Sequence, residues 1–237
     1  MSPTARALSF DLDGTLLDGR GNLEATRLAC AEVASLAPGL NSDRLVFANA
    51  EAWRGYWPEV ETAWALGELS SATVSRETWR RALQACGFDD ETLVRLARET
   101  HLRHQQKALR LFDDAEQVLA SLASRLPLCL VTNGAADTQR DALRLLGIAD
   151  RFSAVVISAE IGVAKPDKAI FHEAAQRLGV PSESVWHVGD NLATDVGGAR
   201  VAGLAAIWLN RSGKAQSEDP VPDYEIRSLS ELPALLA

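Results

Sequence analysis

From residue 126 onward, short apolar or β-branched runs alternate with amphipathic stretches. Residues 126–131, 154–157, 184–188 and 205–209 read as strands, and residues 137–146, 167–178 and 193–202 read as helices. Gly147 and Gly179 each follow the last apolar position of a helical stretch, where helix stops are expected. Strands alternating with helices predict a parallel sheet covered by helices. One further apolar run, residues 7–10, lies far upstream. Residues 19–107 separate it from the rest and carry helical patterns at 23–36, 42–57, 74–86 and 90–107, punctuated by Pro38-Gly39, Pro58 and Gly87. The expected fold class is therefore α/β. Its core domain is discontinuous, spanning 1–18 and 108–237, and an all-helical insert at 19–107 is placed as a lid over the strand ends.

Composition narrows the function classes. The chain has 237 residues, 47% hydrophobic and 24% charged, which fits a globular protein with a full core. A net charge of -8 without a basic cluster disfavours a nucleic acid polymer or an anionic membrane as partner. No run approaches the roughly 18 apolar residues of a membrane span, and residues 1–6 lack a signal peptide's apolar region. Cys30, Cys86 and Cys129 are odd in number and widely spaced, with no metal-ligand pattern. These features predict a cytoplasmic protein, monomer or homodimer. The segment 217–222 reads as a loop before a last short strand and helix.

Candidate chemistry recurs at strand ends. The run 7–10 ends in Asp11-Leu12-Asp13-Gly14-Thr15, and if the strand continues through Asp13 the two carboxylates point to one side. Thr132-Asn133-Gly134 offers a hydroxyl, an amide and a flexible backbone for phosphate oxygens. Lys165-Pro166 places an ammonium at a helix entrance, and Gly189-Asp190-Asn191 is followed by Asp195. Each cluster alone has an ordinary explanation as a turn, a surface lysine or a helix cap, and for Asp195 capping and function weigh equally. Together they would be costly, since two like charges about 4 Å apart repel by roughly 4 kcal/mol at an effective dielectric of 20. The cluster implies a cation, and carboxylates without nearby His or Cys favour Mg²⁺ over zinc.

In this order the four clusters resemble the four motifs of the haloacid dehalogenase (HAD) superfamily, with the insert similar to its C1-type cap. The resemblance implies a Rossmann-like three-layer core and a Mg²⁺-dependent phosphatase acting on a small phosphorylated metabolite such as a sugar phosphate, nucleotide or flavin phosphate. It makes Asp11 the nucleophile that forms an aspartyl-phosphate and Asp13 the general acid and base. Asp11, Asp13 through its backbone carbonyl, and Asp190 would hold Mg²⁺, with Asn191 and Asp195 supporting. The Thr132 hydroxyl, the backbone around Asn133, and Lys165 would hold the transferring group. Dehalogenases of the family lack an acid at the position of Asp13, so its presence favours phosphoryl transfer. A phosphomutase, a 2-haloacid dehalogenase and a non-catalytic phospho-accepting module are the alternatives.

Within the insert, Trp53, Trp57 and Trp64 would share a helical face if the helix passed Pro58, which proline disfavours. Those rings, with Trp79, either pack the insert or stack on a flat substrate. His101 and His104 are expected on a solvated face, His172 and His187 beside the core.

Overall fold

Alternate residues of each strand enter opposite sides of one parallel sheet. In the computed structural model, which describes residues 4–215 and 220–236, the strands are β1 (Ala7–Phe10), β2 (Leu128–Thr132), β3 (Ala154–Ile157), β4 (Val185–Gly189), β5 (Ala205–Leu209) and β6 (Tyr224–Ile226). Their order is β3-β2-β1-β4-β5-β6, all parallel. Residues 1–3 and half of the loop expected at 217–222, namely 217–219, lie outside the described residues.

Leu8, Phe10, Leu128, Leu130, Val188 and Ile207 pack on one face against α5 (Ala115–Ala123) and α6 (Ala136–Leu146). Ala7, Cys129, Val131, Ala206 and Trp208 pack on the other against α8 (Lys168–Leu178) and α9 (Gly198–Val201). This is the three-layer Rossmann-like architecture expected from the sequence. The short helix α7 (Ser158–Ile161) follows β3, and α10 (Leu232–Leu235) closes the described chain. Where a helix was expected at 193–202, the chain makes a π-helical turn at Leu192–Gly197 before α9. Cys30, Cys86 and Cys129 are buried free thiols. Among the described residues, no helix is long and apolar enough to cross a membrane.

Between β1 and α5 run α1 (Gly21–Leu36), α2 (Ser42–Ala65), α3 (Ser71–Ala85) and α4 (Glu91–Ala108). They enclose a separate core of Ala29, Val33, Leu45, Trp79, Leu83 and Val94. The two chain segments that connect this insert to the sheet are tied together. Leu17 bridges Leu111 in antiparallel fashion, and the buried Asp18 carboxylate accepts from Arg20 Nη2 at 2.8 Å and Arg110 Nε at 2.9 Å.

Two expectations are corrected inside the insert. Helix α2 passes through Pro58, which is exposed and removes one backbone donor, because side chains beyond it pack well enough to carry the helix on. Trp53 and Trp57 stack at 4.6 Å, Trp57 meets Trp64 edge-on at 5.2 Å, and Val60 is buried. Trp79 belongs to the insert's core, 1% exposed. His101 and His104 are half-buried between α1 and α4 rather than solvated. His101 sits edge-on to Trp79 and bonds Thr26 Oγ1 at 3.1 Å, while His104 meets Glu32 at 3.0 Å.

Burial, then the neighbouring His104, pushes the His101 imidazole down to about 4. The unfolded chain therefore takes up this proton first, so stability is full above the ordinary value of 6.5 and is lost as pH falls through 4. The loss should reach up to about 3 kcal/mol. In denaturant melts, His101→Phe, which keeps an aromatic contact with Trp79, should flatten this dependence relative to wild type. An identical slope in the two proteins would assign the acid sensitivity elsewhere.

Candidate active site

The strand order reverses at the β1–β4 pair, and the crevice beyond the carboxyl ends of such neighbours is where open α/β sheets bind ligands. Asp11 lies one residue past β1 and is fixed there by its N–H donating to Val188 O at 2.9 Å. The strand does not continue to Asp13 as the alternation argument required. Leu12 O accepts from the N–H groups of Leu16 and Leu17, curling the chain into a tight loop. Gly14 adopts φ +85° in this loop, and a Cβ there would lie 2.6 Å from Asp190 Oδ2. Glycine thus lets the loop after β1 approach the one after β4. Asp11 is buried, whereas Asp13 is exposed.

Lys165 is the centre of the arrangement. Its ammonium, 3% exposed, donates to Asp11 Oδ1 at 2.6 Å and to Asp195 Oδ1 at 2.7 Å. The side chain of Asn133 holds the lysine backbone from both sides: Nδ2 donates to Lys165 O at 2.9 Å, and Oδ1 accepts from Lys165 N at 2.8 Å. The side-chain amide expected to meet phosphate is therefore engaged in setting Lys165. Pro166 is joined by a cis bond, and Asp167 caps α8.

Asp190 follows β4 and is exposed, whereas Asp195 is buried. Asn191 Oδ1 caps the π-helical turn by accepting from Ala193 and Thr194, while its N–H donates to Asp195 Oδ2 at 3.0 Å. Asp195 is thus more than a cap residue. His187, expected beside the core, is buried behind Asp195, with Nε2 at 3.5 Å from Asp195 Oδ1 and Nδ1 at 2.9 Å from Ser9 Oγ.

One oxygen each from Asp11, Asp190 and Asp195 lies within 4.8 Å of the others. The carboxylates that converge are these three, and the Asp13 side chain stands apart from them. Burial raises Asp11 above the carboxylate range, opposed by Lys165 and reinforced by Asp195 and Asp13. Asp190 is exposed as a residue, but partial loss of water around its carboxyl, then the charge of Asp195, pushes it up to about 6. For Asp195 burial acts upward, but Lys165 and then His187 outweigh it and hold the carboxyl well below its usual range. Burial acts downward on Lys165, and the two aspartates outweigh it, keeping the ammonium charged. One ammonium cannot balance this many acids. Three hard oxygen donors carrying unbalanced negative charge fit a small divalent cation such as Mg²⁺.

Thr132 ends β2 and is buried, and among the described residues its hydroxyl makes only a long 3.4 Å contact to Asn133 O. Sequence reasoning missed Gln139 in α6, 2% exposed, whose Nε2 donates to Asp13 Oδ2 and to Asn133 O, each at 3.1 Å. It also missed Ser158, whose hydroxyl donates to Ala65 O at 2.5 Å and accepts from Gly134 N at 2.9 Å. Only the amphipathic pattern of residues 137–146 hinted at the first, through a glutamine on the buried face.

A parallel sheet carrying three carboxylates around a buried ammonium at its switch point defines an α/β enzyme scaffold with an acidic centre. The chain belongs to the haloacid dehalogenase-like hydrolases, whose family model matches residues 5–203. It is 34% identical over 249 aligned positions to the N-acylneuraminate-9-phosphatase of Mus musculus, covering 98% of this chain and 93% of the relative. It is 39% identical to the phosphoserine phosphatase of Thermus thermophilus over 155 positions, which span 65% of this chain and 61% of that one. Among solved structures, a 2-haloacid dehalogenase from Pseudomonas syringae superposes with a TM-score of 0.71 at 30% identity, covering 98% of each chain. The magnesium-bound HAD-hydrolase YfnB of Bacillus subtilis gives 0.72 at 28%, covering 99% of each.

Removing the central ammonium leaves two buried carboxylates without their partner. Lys165→Met should cost about 3 to 5 kcal/mol of stability in metal-free buffer. Chemical denaturation would measure it, and a loss under about 1 kcal/mol would show that the pair does not organise this centre.

Proposed function

We propose that the protein is a Mg²⁺-dependent phosphatase that hydrolyses a small phosphomonoester through an aspartyl-phosphate on Asp11. One observation carries the reading: the acid pair is divided, with Asp11 buried on Lys165 and Asp13 held apart by Gln139 at the mouth of the crevice. Two acids in different surroundings suit two different jobs. The phosphatase names of the relatives over most of the chain support the same class.

In the first step an Asp11 oxygen attacks phosphorus, the bond from phosphorus to the leaving oxygen breaks, and Asp13 gives that oxygen its proton. In the second, Asp13 takes a proton from water, the water oxygen bonds to phosphorus, and the Asp11–phosphorus bond breaks to release inorganic phosphate. Lys165 steadies the charge on the transferring group, with the Thr132 hydroxyl beside it. Asp11, Asp190 and the backbone of Asp13 would hold Mg²⁺, with Asp195 adjoining. When bound, the ion supplies countercharge to the carboxylates and phosphoryl oxygens.

Although Asp13 is exposed as a residue, the protein around its carboxyl strips it of water and raises it, the Gln139 bond opposing, which favours a group that can carry a proton. An acid at this position also separates the reading from a dehalogenase, despite the structural likeness to one. A phosphomutase would isomerise substrate without free phosphate. A phospho-accepting module would keep Asp11 phosphorylated.

Release of phosphate from p-nitrophenyl phosphate should require Mg²⁺ and fall below about 10⁻³ of wild type in Asp11→Asn. Turnover surviving both chelation and that substitution would defeat the mechanism, and halide release from 2-haloacids would point to the dehalogenase.

The Trp53–Trp57–Trp64 ladder supports a substrate with a planar leaving group, because its Trp64 end lies against Gly134 beside the crevice. Trp57→Leu should then lower kcat/KM for nucleotide or flavin phosphates relative to sugar phosphates by roughly five- to tenfold. Equal losses for both classes would assign the ladder to packing.

A further inference from the structure

Gln139 is a buried amide on a helix face whose neighbours Ala142 and Leu143 pack into the core. The helix backbone satisfies itself, so an apolar side chain would serve packing without the cost of desolvating an amide. Both hydrogens of its nitrogen are used, toward Asp13 Oδ2 and the carbonyl oxygen of Asn133. The carbonyl can only accept, which fixes which end of the amide is nitrogen. Asn133 in turn grips the Lys165 backbone on both sides. The amide thus spans the two halves of the site, from the loop that sets the lysine to the outer carboxylate. Gly134 lies directly above it: at φ +144°, a Cβ there would meet Gln139 Nε2 at 2.7 Å and the Trp64 ring at 2.6 Å.

We propose that Gln139 is the positioning residue for proton transfer, holding Asp13 by Oδ2 so that Oδ1 carries the proton to the leaving oxygen. The carbonyl oxygen of a protonated carboxyl is the better acceptor, so an N–H bond to Oδ2 favours the proton on Oδ1. Among the described residues this is the only side-chain hydrogen bond to the Asp13 carboxylate. Without it the carboxyl is free to rotate and proton delivery loses its alignment, whereas Asn133 keeps both its bonds to the Lys165 backbone, and any loss in phosphoryl binding through the missing contact to Asn133 O falls equally on every ester. The inference rests on the phosphatase reading above and adds a residue to it.

The test reads how much the reaction needs a proton. The wild type, Gln139→Met and Gln139→Glu are assayed with Mg²⁺ on aryl phosphates of rising leaving-group basicity, ending in benzyl phosphate. kcat/KM reports the transfer to Asp11. A p-nitrophenolate leaves without protonation, so Gln139→Met should lose less than about fivefold on its ester but about 10²-fold or more on benzyl phosphate. The plot of log kcat/KM against leaving-group basicity therefore steepens. Gln139→Glu keeps the size of the side chain and places a like charge beside Asp13, so it should steepen the plot as well and serves if the methionine variant does not fold. Parallel losses across the series, or none, would overturn the role of Gln139 while leaving the phosphatase reading intact. A wild type that hydrolyses none of these esters would instead remove that reading, and the proposal with it.

Discussion

The structure depends on one buried ammonium. Lys165 Nζ lies between Asp11 and Asp195, and its backbone is gripped by Asn133, so a single residue joins the chain beyond β1, β2 and β4 to its own loop before α8. Burying a charged lysine is unfavourable unless its partners are close and well directed. Two carboxylates at hydrogen-bond distance meet that condition, and they meet it only when the sheet has its observed strand order. The polar centre therefore acts as a register mark for the parallel sheet as well as a chemical site.

The same arrangement sets unequal acids within a few residues. Asp195 is kept ionised by Lys165 and His187, Asp11 is raised by its surroundings, and Asp13 is placed outside the ion cluster on an amide. Sequence proximity would make Asp11 and Asp13 equivalent. The tight loop after β1 separates them, and Gly14 with its positive φ permits that loop beside Asp190. Difference in environment, rather than in residue type, sets the two carboxylates apart, which is what the proposed division of roles requires.

The strands, the helical insert and the polar clusters were legible because each has a local signal: apolar runs, periodicity and carboxylates at run ends. Asn133 was legible as a polar residue at a strand end but not in its partner, since nothing local says that an amide beside a threonine will reach across 32 positions to a lysine backbone. Gln139, Ser158 and the His187–Asp195 contact were illegible for the same reason, each being a partnership made by strand order. Pro58 misled because a local propensity was outweighed by packing on both sides of it. The histidines of α4 misled because a polar ring with a Thr or Glu partner can line a helix interface as readily as a solvated face.

Under the reading proposed above, the distribution of polar partners would leave selectivity for the rest of a substrate to the insert. In the core, Asp11, Asn133, Lys165 and Asp195 are committed to one another, and what remains at the crevice suits a compact charged group. A larger leaving group would then extend past Gly134, where the neighbouring surface is the tryptophan face of α2. That helix is joined to the core at its C-terminal end by Ser158, which bonds Ala65 O and Gly134 N together, so the insert and the loop beside Gln139 share one hydrogen-bonded contact. At the opposite side the insert is tied by the paired connecting segments at Asp18 and Arg110. A change in how the insert sits on the core therefore acts on Gly134 first, and through it on the amide that holds Asp13.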